Sequence, residues 1–197
     1  MINQAMDYAR SIFEADASGH DFDHTMRVYR MAVRIAEEEG TDLQSVSLAA
    51  LLHDVDDRKI SPETYENKDR AVFFLRENGM IEGEISRIVE IISEISFSAG
   101  NGTPSTLEGM CVQDADRLDA MGAIGIGRAF AFGGSRGRRM HDPVGTDTTT
   151  TIQHFYDKLL LLKDRMNTET GKKLACQRDA YLRTFLDEFY AEWDGIR

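Results

Sequence analysis

Apolar residues recur at helical spacing along most of this chain, and this periodicity is the feature that most restricts its fold. No segment shows the sustained alternation of apolar and polar residues that is typical of a half-buried strand. The sequence therefore predicts an all-α fold. The clearest examples are Val28, Met31, Ala32 and Ile35 near the N-terminus, and Tyr181, Phe185, Phe189 and Trp193 near the C-terminus. The expected helices lie near residues 2–15, 21–39, 42–55, 62–78, 82–95, 106–130, 151–164 and 168–193.

Helix-end signals divide the chain at regular points, without a linker, an internal repeat or a low-complexity tract. Gly40 is typical of a helix end, and Thr41 followed by Gln44 is typical of a capping box at the next helix start. Thr150 followed by Gln153 has the same pattern. We expect one domain over residues 1–197, with a long Gly/Arg-rich loop at about 131–150 that is either functional or flexible.

The net charge and the apolar pattern restrict the kinds of partner that this chain is expected to bind. A net charge of -11 disfavours long nucleic acids, although a metal ion and a few arginines can still make a cleft attractive to small anions. No apolar run approaches the roughly 18 residues that span a bilayer, and the N-terminus lacks a signal-peptide pattern. Because Cys111 and Cys176 are too few for a disulfide framework, a reducing cytoplasm is the expected location.

Two of the five histidines occupy positions where core residues are expected. His24 lies on the apolar face of its helix, and His53 ends an apolar helical run. Either histidine alone is more often a hydrogen-bonded core residue than a metal ligand. Asp54 changes this interpretation, because adjacent helical side chains splay about 100° apart and the pair can hold one ion together.

A group of carboxylates falls in an otherwise apolar stretch further along the chain. Asp114, Asp116 and Asp119 lie between residues 110 and 126, and Asp116 shares a helix face with apolar neighbours. A buried carboxylate is costly without a partner, and a cation is a common one. The alternative is that Arg117 and Arg128 pair with these aspartates on a solvated face.

The order of these motifs resembles that of the HD-domain metal-dependent phosphohydrolases. The shared pattern is His24, then His53-Asp54 within LLHDVDD, then Asp116 within DADRLDAMGAIGIGRAF. The resemblance covers most of the chain and points to small stand-alone bacterial hydrolases, including nucleotide pyrophosphohydrolases. It implies an HD-type helical bundle in which these four residues bind the metal, and it favours Asp116 over Asp119.

Two imidazoles and two carboxylates leave about two positions of an octahedral ion for water and substrate. We expect one divalent ion, Mn²⁺ in the first place, with Mg²⁺, Co²⁺, Fe²⁺ and Ni²⁺ as alternatives. Related oxygenases and two-metal phosphodiesterases place extra histidines between the HD pair and the last aspartate. This chain has none between Asp54 and Asp116, which disfavours both classes.

Further residues near these motifs are candidates for catalysis. Asp57 lies four residues after His53, so a continued helical turn would direct it at the same ion. The resemblance implies that Asp57 is the proton shuttle, with Asp119 as a possible helper, whereas Asp56 is expected to face water.

Candidates for substrate binding are the cations and histidines close to the motifs. The segment 133–143 concentrates arginines in an acidic protein, as polyphosphate-binding segments do, although solvated arginines on a mobile loop are the alternative. The candidates are His20, Arg27, Lys59, Arg136, Arg138 and His141.

The combined pattern predicts a phosphohydrolase acting on a small phosphorylated substrate, a nucleotide by resemblance. The preferred reaction is the cleavage of a nucleoside triphosphate to a monophosphate and pyrophosphate. A nucleoside 5'-monophosphatase and a non-catalytic module that senses nucleotide or metal are the alternatives. The sequence leaves the oligomeric state open.

Overall fold

The computed structural model describes residues 1–13, 21–58, 61–95 and 102–197. Within these ranges the regular structure is entirely helical, which confirms the predicted all-α fold. None of the described helices is both long enough and apolar enough to cross a membrane. The helices are α1 (Ile2–Phe13), α2 (Phe22–Glu39), α3 (Leu43–Leu52), α4 (Asp69–Glu77), α5 (Glu82–Ile95), α6 (Leu107–Asp119), α7 (Gly122–Ser135), α8 (Thr151–Asp157), a 3₁₀ helix (Leu159–Arg165) and α9 (Glu169–Trp193).

The chain groups into two compact units, residues 1–116 and residues 117–197. The prediction of a single domain stays a prediction. In the first unit, helix α3 packs against α1, α2 and α5. Every residue of α3 from Ser45 to Leu52 is buried, as expected of a helix that is apolar on all sides. Residues at the end of α3 therefore emerge directly from the core.

Two of the predicted helix ends are confirmed, and one is wrong. Helix α2 ends on Gly40, and Thr150 caps α8 by accepting a hydrogen bond from the Gln153 amide. At α3 the cap is Asp42 instead of Thr41, because the Asp42 carboxylate accepts hydrogen bonds from the first-turn amides. The Thr41 hydroxyl instead donates to the carboxylate of Glu108, at 2.6 Å.

Helix α4 begins later than its pattern predicts. Residues 62–68 form turns, and Lys68 adopts a left-handed conformation with φ 54° just before the helix. Lys68 supplies no side-chain cap. The first turn of α4 is capped instead by Asp56, which precedes it by more than ten residues. The Asp56 carboxylate accepts hydrogen bonds from the amides of Arg70 at 3.1 Å and Ala71 at 3.0 Å. Asp56 is fully buried, so the expectation that it faces water is wrong.

The predicted helix 106–130 is two helices, α6 and α7. The break is followed by Gly122, the first residue of α7, whose φ of 69° favours glycine, and a side chain there would meet that of Arg178 at 3.2 Å. The Arg178 guanidinium, on α9, donates a hydrogen bond to the carbonyl of Leu118. A contact with a distant helix therefore accompanies the break.

Helix α7 continues through Ser135, so the loop expected at 131–150 begins five residues later than predicted. Asp142 organises the remaining loop, accepting hydrogen bonds from the Thr146 amide and hydroxyl and from the Asp147 amide. These bonds, that from Asp147 first, hold the pKa of Asp142 well below its ordinary value. The first two amides of α8 donate to the carbonyls of residues 139 and 140. The loop is thus tied to itself and to α8.

Candidate metal centre

The position of His24 follows from the start of α2. The Asp21 carboxylate caps this helix by accepting a hydrogen bond from the His24 amide at 2.7 Å. The His24 side chain is buried. Its Nε2 lies 3.5 Å from Asp54 Oδ2 and 3.5 Å from Asp116 Oδ1. The first turn of α2 therefore carries an imidazole that faces two carboxylates.

The position of His53 follows from the end of α3. Its Nδ1 lies 2.8 Å from the carbonyl oxygen of Ala50, one turn earlier, and donates to it. This bond places the proton on Nδ1 and directs the Nε2 lone pair away from the helix. Nε2 is buried, has no hydrogen-bond partner among the described residues, and lies 3.2 Å from Asp54 Oδ2.

The ligand atoms of His24, His53 and Asp54 all lie within 4.8 Å of one another. Asp116, on α6, adds a second carboxylate beside His24. A buried imidazole nitrogen without a hydrogen-bond partner is costly unless it binds an ion. Two imidazoles and two carboxylates are also a donor set that divalent transition metals favour. The arrangement therefore fits a divalent cation.

The raised pKa of His53 also indicates a site that attracts a cation. Burial by itself lowers the pKa of this imidazole, but the carboxylates of Asp54 and Asp116 outweigh that effect and raise the pKa to about 9. In the absence of an ion, the cluster thus attracts a proton onto the ring. The same negative potential attracts a metal ion, which competes with that proton.

The two predicted catalytic aspartates have different surroundings. Helix α3 ends at Leu52, so the continued helical turn expected to carry Asp57 is absent, and Asp57 instead closes a short turn that begins at Asp54. In this turn the Asp57 amide donates to the Asp54 carbonyl at 2.9 Å, and the Asp57 side chain is half-buried. Asp119, in the second unit, is buried and forms an ion pair with Arg128. The pairing with Arg128 matches part of the alternative considered for these aspartates, but Asp119 is buried and does not lie on a solvated face.

Of the substrate-binding candidates, His20 and Lys59 lie outside the described residues. Arg27 is half-buried on α2, three residues after His24. His141 makes edge contacts with the rings of Tyr190 and Trp193, at centroid distances of 5.3 and 5.2 Å.

Arg136 and Arg138 are exposed at the end of α7. Their guanidinium carbons lie 5.4 and 5.3 Å from the centroid of the Phe132 ring. The sequence pattern overlooked Phe132, because an aromatic residue within an apolar run carries no signal of its own. The available signal was the segment Phe-Gly-Gly-Ser-Arg-Gly-Arg, which has a glycine where a helix end requires one.

Comparison with known proteins identifies the family. The sequence model of the HD domain matches residues 21–121, a range that includes all four predicted metal ligands. This chain belongs to the HD domain family. The family is that of metal-dependent phosphohydrolases, as the sequence predicted, and HD domains bind a divalent metal ion.

Similar proteins span nearly the whole chain. YpgQ of Bacillus subtilis (strain 168) is 39% identical over 201 aligned residues, which cover 98% of this chain and 94% of YpgQ. The crystal structure of an HD-superfamily hydrolase from Bacillus thuringiensis is 40% identical, with a TM-score of 0.84 over 98% of this chain and 96% of that one. The crystal structure of YpgQ in complex with ADP superposes with a TM-score of 0.85 and 35% identity, and covers 100% of both chains.

Proposed function

We propose that this HD phosphohydrolase cleaves a small nucleotide, converting a nucleoside triphosphate to a monophosphate and pyrophosphate. The observation that carries the proposal is the cluster of His24, His53 and Asp54, whose ligand atoms lie within 4.8 Å of one another, with Asp116 Oδ1 at 3.5 Å from His24 Nε2. The crystal structure of YpgQ in complex with ADP supports a nucleotide as the ligand class.

We assign these four residues as ligands of one divalent ion, with Mn²⁺ as the preferred metal. Among the described residues, they include the only group of histidines and carboxylates close enough to hold a metal. When bound, such an ion polarises a phosphoryl oxygen and makes water more acidic. The Nδ1 bond from His53 to the Ala50 carbonyl keeps Nε2 available as a ligand.

Asp57 has the role of proton acceptor in this proposal. It follows the ligand pair in the same turn, and its amide bond to the Asp54 carbonyl ties its backbone to that of a ligand. Asp57 orients the attacking water and takes its proton. Asp119 assists from within its ion pair with Arg128. Arg27, together with His20 and Lys59, neutralises phosphate charge.

The preference for a triphosphate rests on Arg136 and Arg138. The sequence offers three arginines in this segment, but Arg139 pairs with Asp142 at 3.1 Å. No carboxylate pairs with Arg136 or Arg138 in the described part of the chain. A guanidinium contact neutralises about one phosphate charge, so two such groups suit a polyphosphate better than a single phosphate. His141, in the same loop, is the remaining proposed contact.

A substrate and product screen tests this function. Nucleoside tri-, di- and monophosphates are incubated with Mn²⁺, Mg²⁺, Co²⁺ or Ni²⁺, and the products are separated by ion-exchange chromatography. We expect a monophosphate and pyrophosphate from triphosphates, with the highest rate in Mn²⁺. Orthophosphate from monophosphates alone would make the protein a monophosphatase, and nucleotide binding without any product would make it a sensing module.

A double substitution tests whether Arg136 and Arg138 bind the polyphosphate. Replacing Arg136 and Arg138 together by Gln should raise KM for triphosphates by about tenfold or more, and KM for monophosphates by less than about threefold. The control replaces Arg34 and Arg197 by Gln, which removes the same charge from two exposed ion pairs elsewhere. Equal losses on both substrates would remove the arginines from the proposal.

A further inference from the structure

The end of helix α7 has the hydrogen bonds of a Schellman motif. The Arg138 amide donates to the Gly133 carbonyl at 2.9 Å, and the Gly137 amide donates to the Gly134 carbonyl at 3.0 Å. Gly137 has φ 64°, the left-handed conformation that this motif requires. The motif reverses the chain direction immediately after the helix.

This reversal places two arginines on one aromatic ring. A Schellman motif usually pairs an apolar residue after the turn with one in the last turn of the helix. Here Arg138 and Phe132 occupy those two positions, and Arg136 also lies over the Phe132 ring. Phe132 is 43% exposed, and Arg136 and Arg138 are exposed as well, so this group lies at the surface. A guanidinium attracted to an aromatic ring keeps N–H donors for a phosphate oxygen.

Helix packing fixes the base of this motif. Gly133 is buried, and a side chain there would come within 2.1 Å of the Thr151 hydroxyl oxygen. Because glycine lets α7 approach α8 this closely, the Phe132 ring and the turn that follows it are carried on two packed helices. The two arginines are therefore presented by a defined support.

Charged groups of α8 lie near this motif. Burial first, and then the charges of Lys158 and Arg138, lower the pKa of His154 on α8, whereas the charge of Asp157 raises it. Arg138 is therefore close enough to α8 to act on a side chain there.

We propose that Phe132 is a positioning residue whose ring holds Arg136 and Arg138 as a two-guanidinium clamp for a polyphosphate chain. The clamp deepens the proposed function and rests on it. Ordering both side chains on the ring before binding lowers the entropy that binding would otherwise cost. Two guanidinium groups on one ring offer donors to more than one phosphoryl group, which a polyphosphate supplies and a single phosphate does not.

The test compares Phe132→Leu, which keeps an apolar side chain but removes the ring, with Phe132→Tyr, which keeps the ring. Binding of inorganic tripolyphosphate to the full-length chain is measured by titration calorimetry without added metal. We expect Phe132→Leu to weaken binding about threefold to tenfold, and Phe132→Tyr to stay within about twofold of wild type. With a triphosphate substrate, KM should rise in Phe132→Leu while kcat changes little. Phe73→Leu, at an exposed phenylalanine of α4, is the matched control.

The other possible outcomes each refute the inference, and they differ in whether the proposed function also fails. If Arg136→Gln/Arg138→Gln weakens tripolyphosphate binding but Phe132→Leu does not, the ring has no positioning role and the proposed function stands. If Phe132→Tyr fails as Phe132→Leu does, packing rather than the aromatic face matters. If the arginine pair itself has no effect, the clamp and the arginine assignment in the proposed function are both refuted.

Discussion

Asp56→Ala should destabilise the protein and loosen the metal centre together. The buried carboxylate accepts two backbone hydrogen bonds from the start of α4. Each hydrogen bond to a charged group contributes about 1.5–3 kcal/mol, so losing both costs about 3–6 kcal/mol. Removing a buried charge recovers part of this, and we expect a net loss of about 2–4 kcal/mol. At this chain length that corresponds to a fall in Tm of about 5–15 °C.

The assay is urea or thermal unfolding of Asp56→Ala without metal, followed by a Mn²⁺ titration. Asp56 lies in the turn that contains Asp54 and Asp57, so we also expect an affinity loss of about tenfold for Mn²⁺. The control is Asp69→Ala, an exposed carboxylate in the first turn of α4, which should cost about 0.3–1 kcal/mol through the helix dipole. If the two variants lost the same stability, the buried cap would not explain the start of α4.

Three further predictions concern the site. His53→Ala and Asp54→Ala should each abolish metal-dependent hydrolysis while circular dichroism stays helical; near wild-type activity with full metal content would refute the ligand assignment. Asp57→Asn should keep the metal but lose about 10²–10⁴-fold in kcat, and loss of the metal would make Asp57 a ligand instead. In the absence of an ion the pKa of His53 is raised to about 9, so protonation of the ring stabilises the metal-free fold. This contribution is complete at pH values below the ordinary pKa of 6.5 and is lost as the pH rises through 9. Binding requires the neutral ring, so calorimetry should show Mn²⁺ affinity rising about tenfold per pH unit between roughly pH 7 and 9, with proton release; pH-independent affinity would contradict this.

Much of the fold was predictable because helical periodicity is a local property. Val28 and Ile35 define the buried face of α2, and His24 lies on the same face and is buried as expected. The pattern also favoured Asp116 as an inward-facing residue; the structure places it beside His24 but half-buried, whereas Asp114 and Asp119 are buried. The role of these residues as ligands stays a prediction.

Helix boundaries were less predictable where a distant residue decides them. The stretch 106–130 has the composition of one helix, but it breaks before Gly122, where Arg178 of α9 packs. Residues 131–135 are helical despite two glycines, since Gly133 allows α7 to pack on Thr151 of α8. Neither contact can be predicted from the sequence of a single helix, because each joins residues of two different helices.

The sequence by itself determined the helical class, because periodicity depends on neighbouring positions, and it predicted the metal ligands from the order of the HD motifs. Only the tertiary structure decided how consecutive aspartates divide their roles. Asp54 faces two imidazoles, whereas Asp56 turns inward to amides 14 and 15 residues away. In the same way, the Phe132 ring joins two arginines that sequence spacing alone would leave as solvated charges. In each case, the energy of the buried or stacked group depends on partners that the chain meets only after folding.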